Sequence, residues 1–298
     1  MVTMAFQSWI GYGPFYLASD MGYFKDEGLQ VFFINEELDS SRQDAFNNGM
    51  LDCEAGTLDL LAQKVAFDVP VVGVMALDYS NGGDGVVALE EIKKIDDLRG
   101  KRIALAKNDV GDTFFSYILH KNNIPPETVN IIPCATDNAW EVFVKGEADA
   151  VVTWEPWLSK ALGRPQSHLL ISSKEFPGVI IDTLNVRKDL VSQNPQLVKK
   201  IIRAWFKAVE YYRLHPVEAS RIICRYYDMK PEEYRASVEK LSWLGYSEQV
   251  KTFTDDKMLE VFREISQIKL ENGRIPKMPE AQEALNDKLL KTAYEDSK

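Results

Sequence analysis

The strongest constraint on this chain is its rhythm: short apolar runs alternate with helix-length stretches through the first two-thirds, then give way to helices alone. Apolar runs at 3–8, 29–34, 53–56, 69–76, 85–88, 102–106, 129–133, 150–153 and 178–186 predict strands. Stretches at 14–22, 40–48, 58–65, 113–121 and 138–145 lie between them and predict helices. Such alternation predicts an α/β fold with mostly parallel sheets, because parallel neighbours need a crossover and a helix supplies it. Beyond Pro195, apolar residues recur at three- and four-residue spacing over 197–215, 216–227, 231–241 and 256–272, which predicts a helical C-terminal extension. At 298 residues the chain is long enough for two medium domains.

An internal echo points to how those domains meet. The segment SSRQDAFNNGMLDCEAGTLD reads as a capped helix, Gly49, Asp52, a short apolar strand and then polar Thr57. The segment TDNAWEVFVKGEADAVVTWEP repeats the order with Gly146, Asp149, a strand and then Trp154-Glu155-Pro156. Glycine suits the left-handed residue that ends a helix. Two related α/β lobes are therefore expected, each aiming a strand end at a shared cleft, since ligands of open α/β sheets sit outside the carboxyl ends of strands. The chain would cross between lobes at 77–88, where Asn81-Gly82-Gly83 favours a turn, and return at 178–186. On this reading lobe I is 1–82 with 185–298, and lobe II is 83–184.

Charge and composition remove several alternatives. A net charge of −10 argues against a phosphate-binding surface for nucleic acid, which needs a clustered basic stripe. Cys53, Cys134 and Cys224 are far apart and odd in number, so no disulfide framework is expected. His120, His168 and His215 are scattered, and no metal site or cofactor is expected. No apolar run approaches the length of a membrane span. The opening MVTMAFQSWIGYGPFYLA has neither a basic nor a long apolar region and does not read as a signal peptide.

The strand ends nominate a ligand site. Trp9 and Trp154 end strands in opposite lobes, and facing indoles can sandwich an apolar or cationic ligand. Tyr12 lies in the same loop as Trp9. Asp78, Asp84, Glu155 and Asp182 fall at strand ends or crossings, and buried carboxylates require cationic partners. Asp78 and Asp84 equally suit turn capping. Thr57, Ser80 and the loop 109–113, with Gly111 and Thr113, offer hydroxyl and backbone donors, with Asp109 or Asp112 as an N-cap. No Arg or Lys falls in these segments, which favours a ligand bearing an amine.

Four segments in order, GYGPFYLASDMGYFKDEGLQV, LDYSNGGDGVVAL, LRGKRIALAKNDVGDTFFSYIL and GEADAVVTWEPW, resemble the substrate-binding proteins of ABC importers, specifically the nitrate/sulfonate/taurine group with its thiamine-pyrimidine (NMT1/THI5-like) branch. The resemblance spans roughly residues 8–215. It implies a two-lobed type II periplasmic-binding-protein fold and a monomer that captures a small molecule and delivers it to a transporter permease. Candidate ligands are an amine-bearing or zwitterionic solute such as taurine, another sulfonate, or a pyrimidine. It also implies a periplasmic or cell-surface lipoprotein location, if an export segment has been removed. One departure stands out: relatives often carry Ser-His after the valine of the lobe II loop, whereas Val110 here precedes Gly111-Asp112-Thr113. A pyrimidine-synthesising enzyme on the same fold is the alternative, but its expected His and Cys cluster is absent from the sequence. A ligand-sensing domain is the third.

Overall fold

The computed structural model describes residues 1–35 and 39–296. Eleven strands form two sheets. They are β1 (Val2–Phe6), β2 (Val31–Asn35), β3 (Cys53–Thr57), β4 (Val71–Ser80), β5 (Asp84–Leu89), β6 (Arg102–Leu105), β7 (Asn130–Pro133), β8 (Ala150–Trp154), β9 (Ser167–Ser172), β10 (Ile181–Arg187) and β11 (Leu241–Ser242). The first sheet runs β11-β4-β10-β3-β1-β2 and the second β7-β6-β8-β5-β9. All nine expected strands are present; β9 and β11 are additions.

The expectation of mostly parallel sheets is corrected. β1 pairs in parallel with β2 and β3, and β6 with β7 and β8. The remaining pairings, all involving β4, β5 or β10, are antiparallel. These strands carry the chain between sheets without an intervening helix. β4 ends at Ser80 and β5 begins at Asp84, with Gly82 at a φ of 101° in the turn. β4 and β5 lie in different sheets, so this link is a crossing and not a hairpin.

The echo is a structural repeat. Gly49 and Gly146 both take left-handed conformations, at φ 68° and 83°, where a side chain would be strained. Asp52 then accepts the Thr3 backbone N–H at 2.9 Å, and Asp149 accepts that of Arg102 at 2.9 Å. Each aspartate thus pins a strand to the start of its parallel neighbour.

The helical C-terminal extension is present and does more than pack on the first sheet. The helix Pro195–Leu214, N-capped by Asn194, buries Trp205 against Phe15 with ring centroids 4.4 Å apart. The helix Asp256–Glu271, however, lies against both Leu58–Ala66, which follows β3, and Val110–Lys121, which follows β6. Its Lys269 pairs with Asp59 at 3.0 Å, Glu264 pairs with Lys121, and the following Arg274 pairs with Asp112 at 2.9 Å. The chain's last helix is Lys288–Glu295, with Leu290 and Ala293 buried; residues 297–298 lie outside the described residues. Among the described residues, no helix is long and apolar enough to cross a membrane.

Candidate functional site

Strand register assembles the site two residues at a time. In the first sheet Asp182 of β10 is paired with Thr57 at the end of β3. In the second, Asp84 at the start of β5 is paired with Trp154 at the end of β8. Each sheet therefore presents an acid beside a strand-end residue. These four line one narrow cavity of about 10 Å³, together with Gln7, Trp9, Val110 and Ile180. That is room for about one water molecule, so the walls stand closed on one another in this arrangement and a larger occupant requires them to part. The two indoles do share a gap, although both side chains are almost wholly buried.

Hydrogen bonds hold the walls. The Trp9 indole N–H is shared between both oxygens of Asp78, at 3.2 Å each, and the Tyr12 hydroxyl donates to Asp182. A β-carbon on Gly11 would lie 2.2 Å from Asp78 and 2.3 Å from the Trp9 indole nitrogen, so only glycine lets this loop close. Four buried polar atoms have no hydrogen-bonding partner here: the Trp154 indole N–H, Asp84 Oδ2 and the hydroxyls of Thr57 and Thr153. An unpartnered buried polar group costs about 1–3 kcal/mol, and native proteins keep few without reason. Three of the four residues line the cavity.

The electrostatics are lopsided. Asp78, Asp84 and Asp182 are buried, and no lysine or arginine of the described residues forms an ion pair with them. Burial pushes Asp84 up to about 8, with the charges of Asp182, Glu155 and Asp109 adding to it and the Ser80 hydroxyl opposing. Burial, followed by the charge of Asp78, holds Asp182 well above the usual carboxylate range. Asp78 is raised for the same first cause, though Trp9 hydrogen bonding opposes it. Adjacent buried carboxyls titrate as a unit, so this cluster retains protons at neutral pH. A cation entering the cavity would displace them.

The remaining expected residues have other occupations. Tyr12 is fully buried behind Asp182 and orients that carboxyl instead of lining the cavity. Asp78 likewise stands behind the Trp9 indole. Ser80 is hydrogen-bonded to Ser173 at 2.8 Å, across the crossing. Thr113 donates to Asp59 at 2.6 Å, and Gly111 does not line the cavity, where Val110 stands instead. Asp109 is the N-cap of Val110–Lys121, accepting from Val110 at 2.7 Å. Glu155, expected at the ligand, is fully buried and turned to Lys240 and to the Ser159 hydroxyl at 2.9 Å.

The premise that no base approaches these segments is therefore corrected: Lys240, Lys269 and Arg274 arrive from the C-terminal region. They engage Glu155, Asp59 and Asp112, and leave Asp84 and Asp182 at the cavity, and Asp78 behind Trp9, without a counter-charge. For Asp59 the burial penalty is outweighed by the Lys269 charge and the Thr113 hydrogen bond, and its acidity is strengthened. Gln7 and Ile180 line the cavity without having been anticipated; only their places at a strand end and a crossing carried any signal. Among the described residues, no group of three His, Cys, Asp or Glu side chains is arranged to hold a metal.

Comparison with known proteins places this geometry. A Brucella abortus protein provisionally named a binding protein is 22% identical over 266 residues, spanning 83% of this chain and 75% of its own. The 4-amino-5-hydroxymethyl-2-methylpyrimidine phosphate synthase of Saccharomyces cerevisiae is 26% identical over 236 residues, spanning 74% of this chain and 67% of its own. The periplasmic aliphatic sulphonate binding protein SsuA of Escherichia coli superposes with a TM-score of 0.81 at 13% identity, over 94% of this chain and 95% of its own. This likeness shows the two-sheet fold of periplasmic binding proteins. The model of the family described as NMT1/THI5 like matches residues 9–219, and the chain belongs to that family.

Proposed function

We propose that this protein is the solute-binding component of an ABC importer that captures one small, amine-bearing molecule between two lobes. On this reading lobe I comprises 1–82 and 185–298, lobe II comprises 83–184, and the hinges lie at 77–88 and 178–186. The observation that carries it is the set of buried aspartates without a base, beside two indoles. Asp84 and Asp182 line the cavity, with Asp78 behind Trp9. A protonated amine supplies the missing positive charge, Asp84 Oδ2 and the Thr57 hydroxyl accept its N–H groups, and the indole faces attract it. The Trp154 N–H would serve an acceptor on the same molecule, so an amino alcohol, a zwitterion or an aminated ring fits better than a bare ammonium.

Closure of the lobes would create these contacts together and so shift the protein toward its closed form. A monomer working outside the cytoplasmic membrane, in the periplasm or held at the cell surface, would then present the closed shape to a permease. Against an enzymatic role like that of the yeast relative, no His or Cys lines the cavity. Calorimetry with matched small molecules tests the reading. Protonated amines and amine-bearing zwitterions are expected to bind, and nitrate, sulfate and simple alkanesulfonates to fail; binding confined to the anions would overturn it.

A further inference from the structure

The central cavity is small, yet a larger one of about 340 Å³ opens beside the two crossings between the sheets. Its walls include Tyr79 and Asn81 from the outgoing crossing and Gly178 and Ile181 from the returning one. Leu244, Met258 and Val261 close its apolar side, the last two from the helix Asp256–Glu271. Glu248, Asp255 and Lys257 stand around it. The volume lies within the range of about 300–1,000 Å³ typical of small-molecule sites, and an apolar throat with a few convergent polar groups is their usual composition.

We propose that this cavity is a second small-molecule site, taking a compact apolar body that carries one protonated amine. The throat formed by Ile181, Leu244, Met258 and Val261 takes the apolar part, and Glu248 with Asp255 faces the amine. Neither Glu248 nor Asp255 belongs to an ion pair among the described residues, although Asp255 caps its helix through Met258 at 2.8 Å. Burial, with the charges of Asp255 and Glu248, pushes the Tyr79 phenol up to about 12, so it stays a neutral donor; with Lys257 the cavity carries two acids and one base. The site touches both crossings, and Gly178 sits at a φ of 86° where backbone rotation is unhindered by a side chain. A molecule bound there would couple to the relative position of the sheets by whatever difference in contact it makes between their arrangements.

Benzylamine, benzyl alcohol and benzoate, titrated by ligand-observed NMR into the full chain and three variants, test the proposal. Benzylamine is expected to bind the native chain and Asp84→Asn equally, to bind Val261→Trp at least tenfold more weakly, and to bind Glu248→Lys severalfold more weakly. Benzoate is expected not to bind. Val261→Trp fills the throat; should it fail to fold, Glu248→Lys changes only an exposed residue and carries the test alone. Binding abolished by Asp84→Asn, unaffected by Glu248→Lys, matched by benzoate, or absent altogether would overturn the second site. Because Asp84 belongs to the central cavity alone, failure here leaves the reading of that cavity standing.

Discussion

Two sets of buried acids lie in the first sheet and its neighbourhood, and they are treated in opposite ways. Glu54, in the middle of β3, is fully buried between Arg42 at 3.2 Å and Lys64 at 3.1 Å, with the Asn185 amide donating at 3.2 Å. Asp78, Asp84 and Asp182 are almost as deeply buried; Asp78 accepts from Trp9, Asp182 from Tyr12 and Asp84 from Ser80, and no base pairs with them among the described residues. Glu54 is neutralised within the chain, whereas no base among the described residues pairs with the three aspartates. Burial alone therefore does not identify a site. On the proposed reading, burial without a counter-charge, beside unpartnered donors, does.

The contrast yields predictions of decreasing size. Lys64→Met strands Glu54 without half of its compensation, and removing one partner of a buried pair costs about 3–5 kcal/mol. Urea denaturation would register that loss, and a change below about 1 kcal/mol would mean that Glu54 is not held as described. Asp84→Asn should leave unfolding stability at pH 7 within about 0.5 kcal/mol while weakening ligand binding on the order of 100-fold, near 2.7 kcal/mol. Equal loss of stability in the two variants would erase the distinction between the sets.

The pH dependence follows with its sign. Asp84 folded titrates near 8 against about 3.9 unfolded, so the folded chain holds more protons between those values. The stability this group contributes is full below the lower value and falls as pH rises toward the upper one. The ligand-free protein should melt at least roughly 2–4 °C lower at pH 8.5 than at pH 6, equivalent to about 1 kcal/mol. Asp59 and Asp149, whose pKa values are lowered, act in the opposite sense only in more acid solution. The same protons should leave when a cation binds, so calorimetry in buffers of different ionisation heat at pH 7 should detect proton release. Trp9→Phe keeps the ring but removes the bond to Asp78, and should weaken binding by about 1 kcal/mol, roughly fivefold.

Much of the framework was legible because its signals are local. β-branched runs mark β5 and β8, and the Gly49-to-Asp52 and Gly146-to-Asp149 spacings mark the repeated unit that contains β3. The short β11 and the half-exposed β9 lack a strong alternation and escaped notice. Strand direction is set by which strands the crossings make neighbours, and no residue encodes it. Strand ends are equally local signals and lead to Trp9, Thr57, Asp84, Trp154 and Asp182, which line one cavity; Lys240, Lys269 and Arg274 carry no such signal. Their partners lie far away in sequence, and a lysine on an amphipathic helix reads as a solvated face until the fold folds it back. Lys240 changes the site most: it claims Glu155, which strand-end reasoning had assigned to the ligand.

Native mass spectrometry of the protein as purified, with the released ligand identified after denaturation, tests the central claim most directly. The account predicts a one-to-one complex with a small molecule bearing a basic nitrogen, lost in Asp84→Asn. A retained ligand that is a simple sulfonate or other anion without an amine would contradict it.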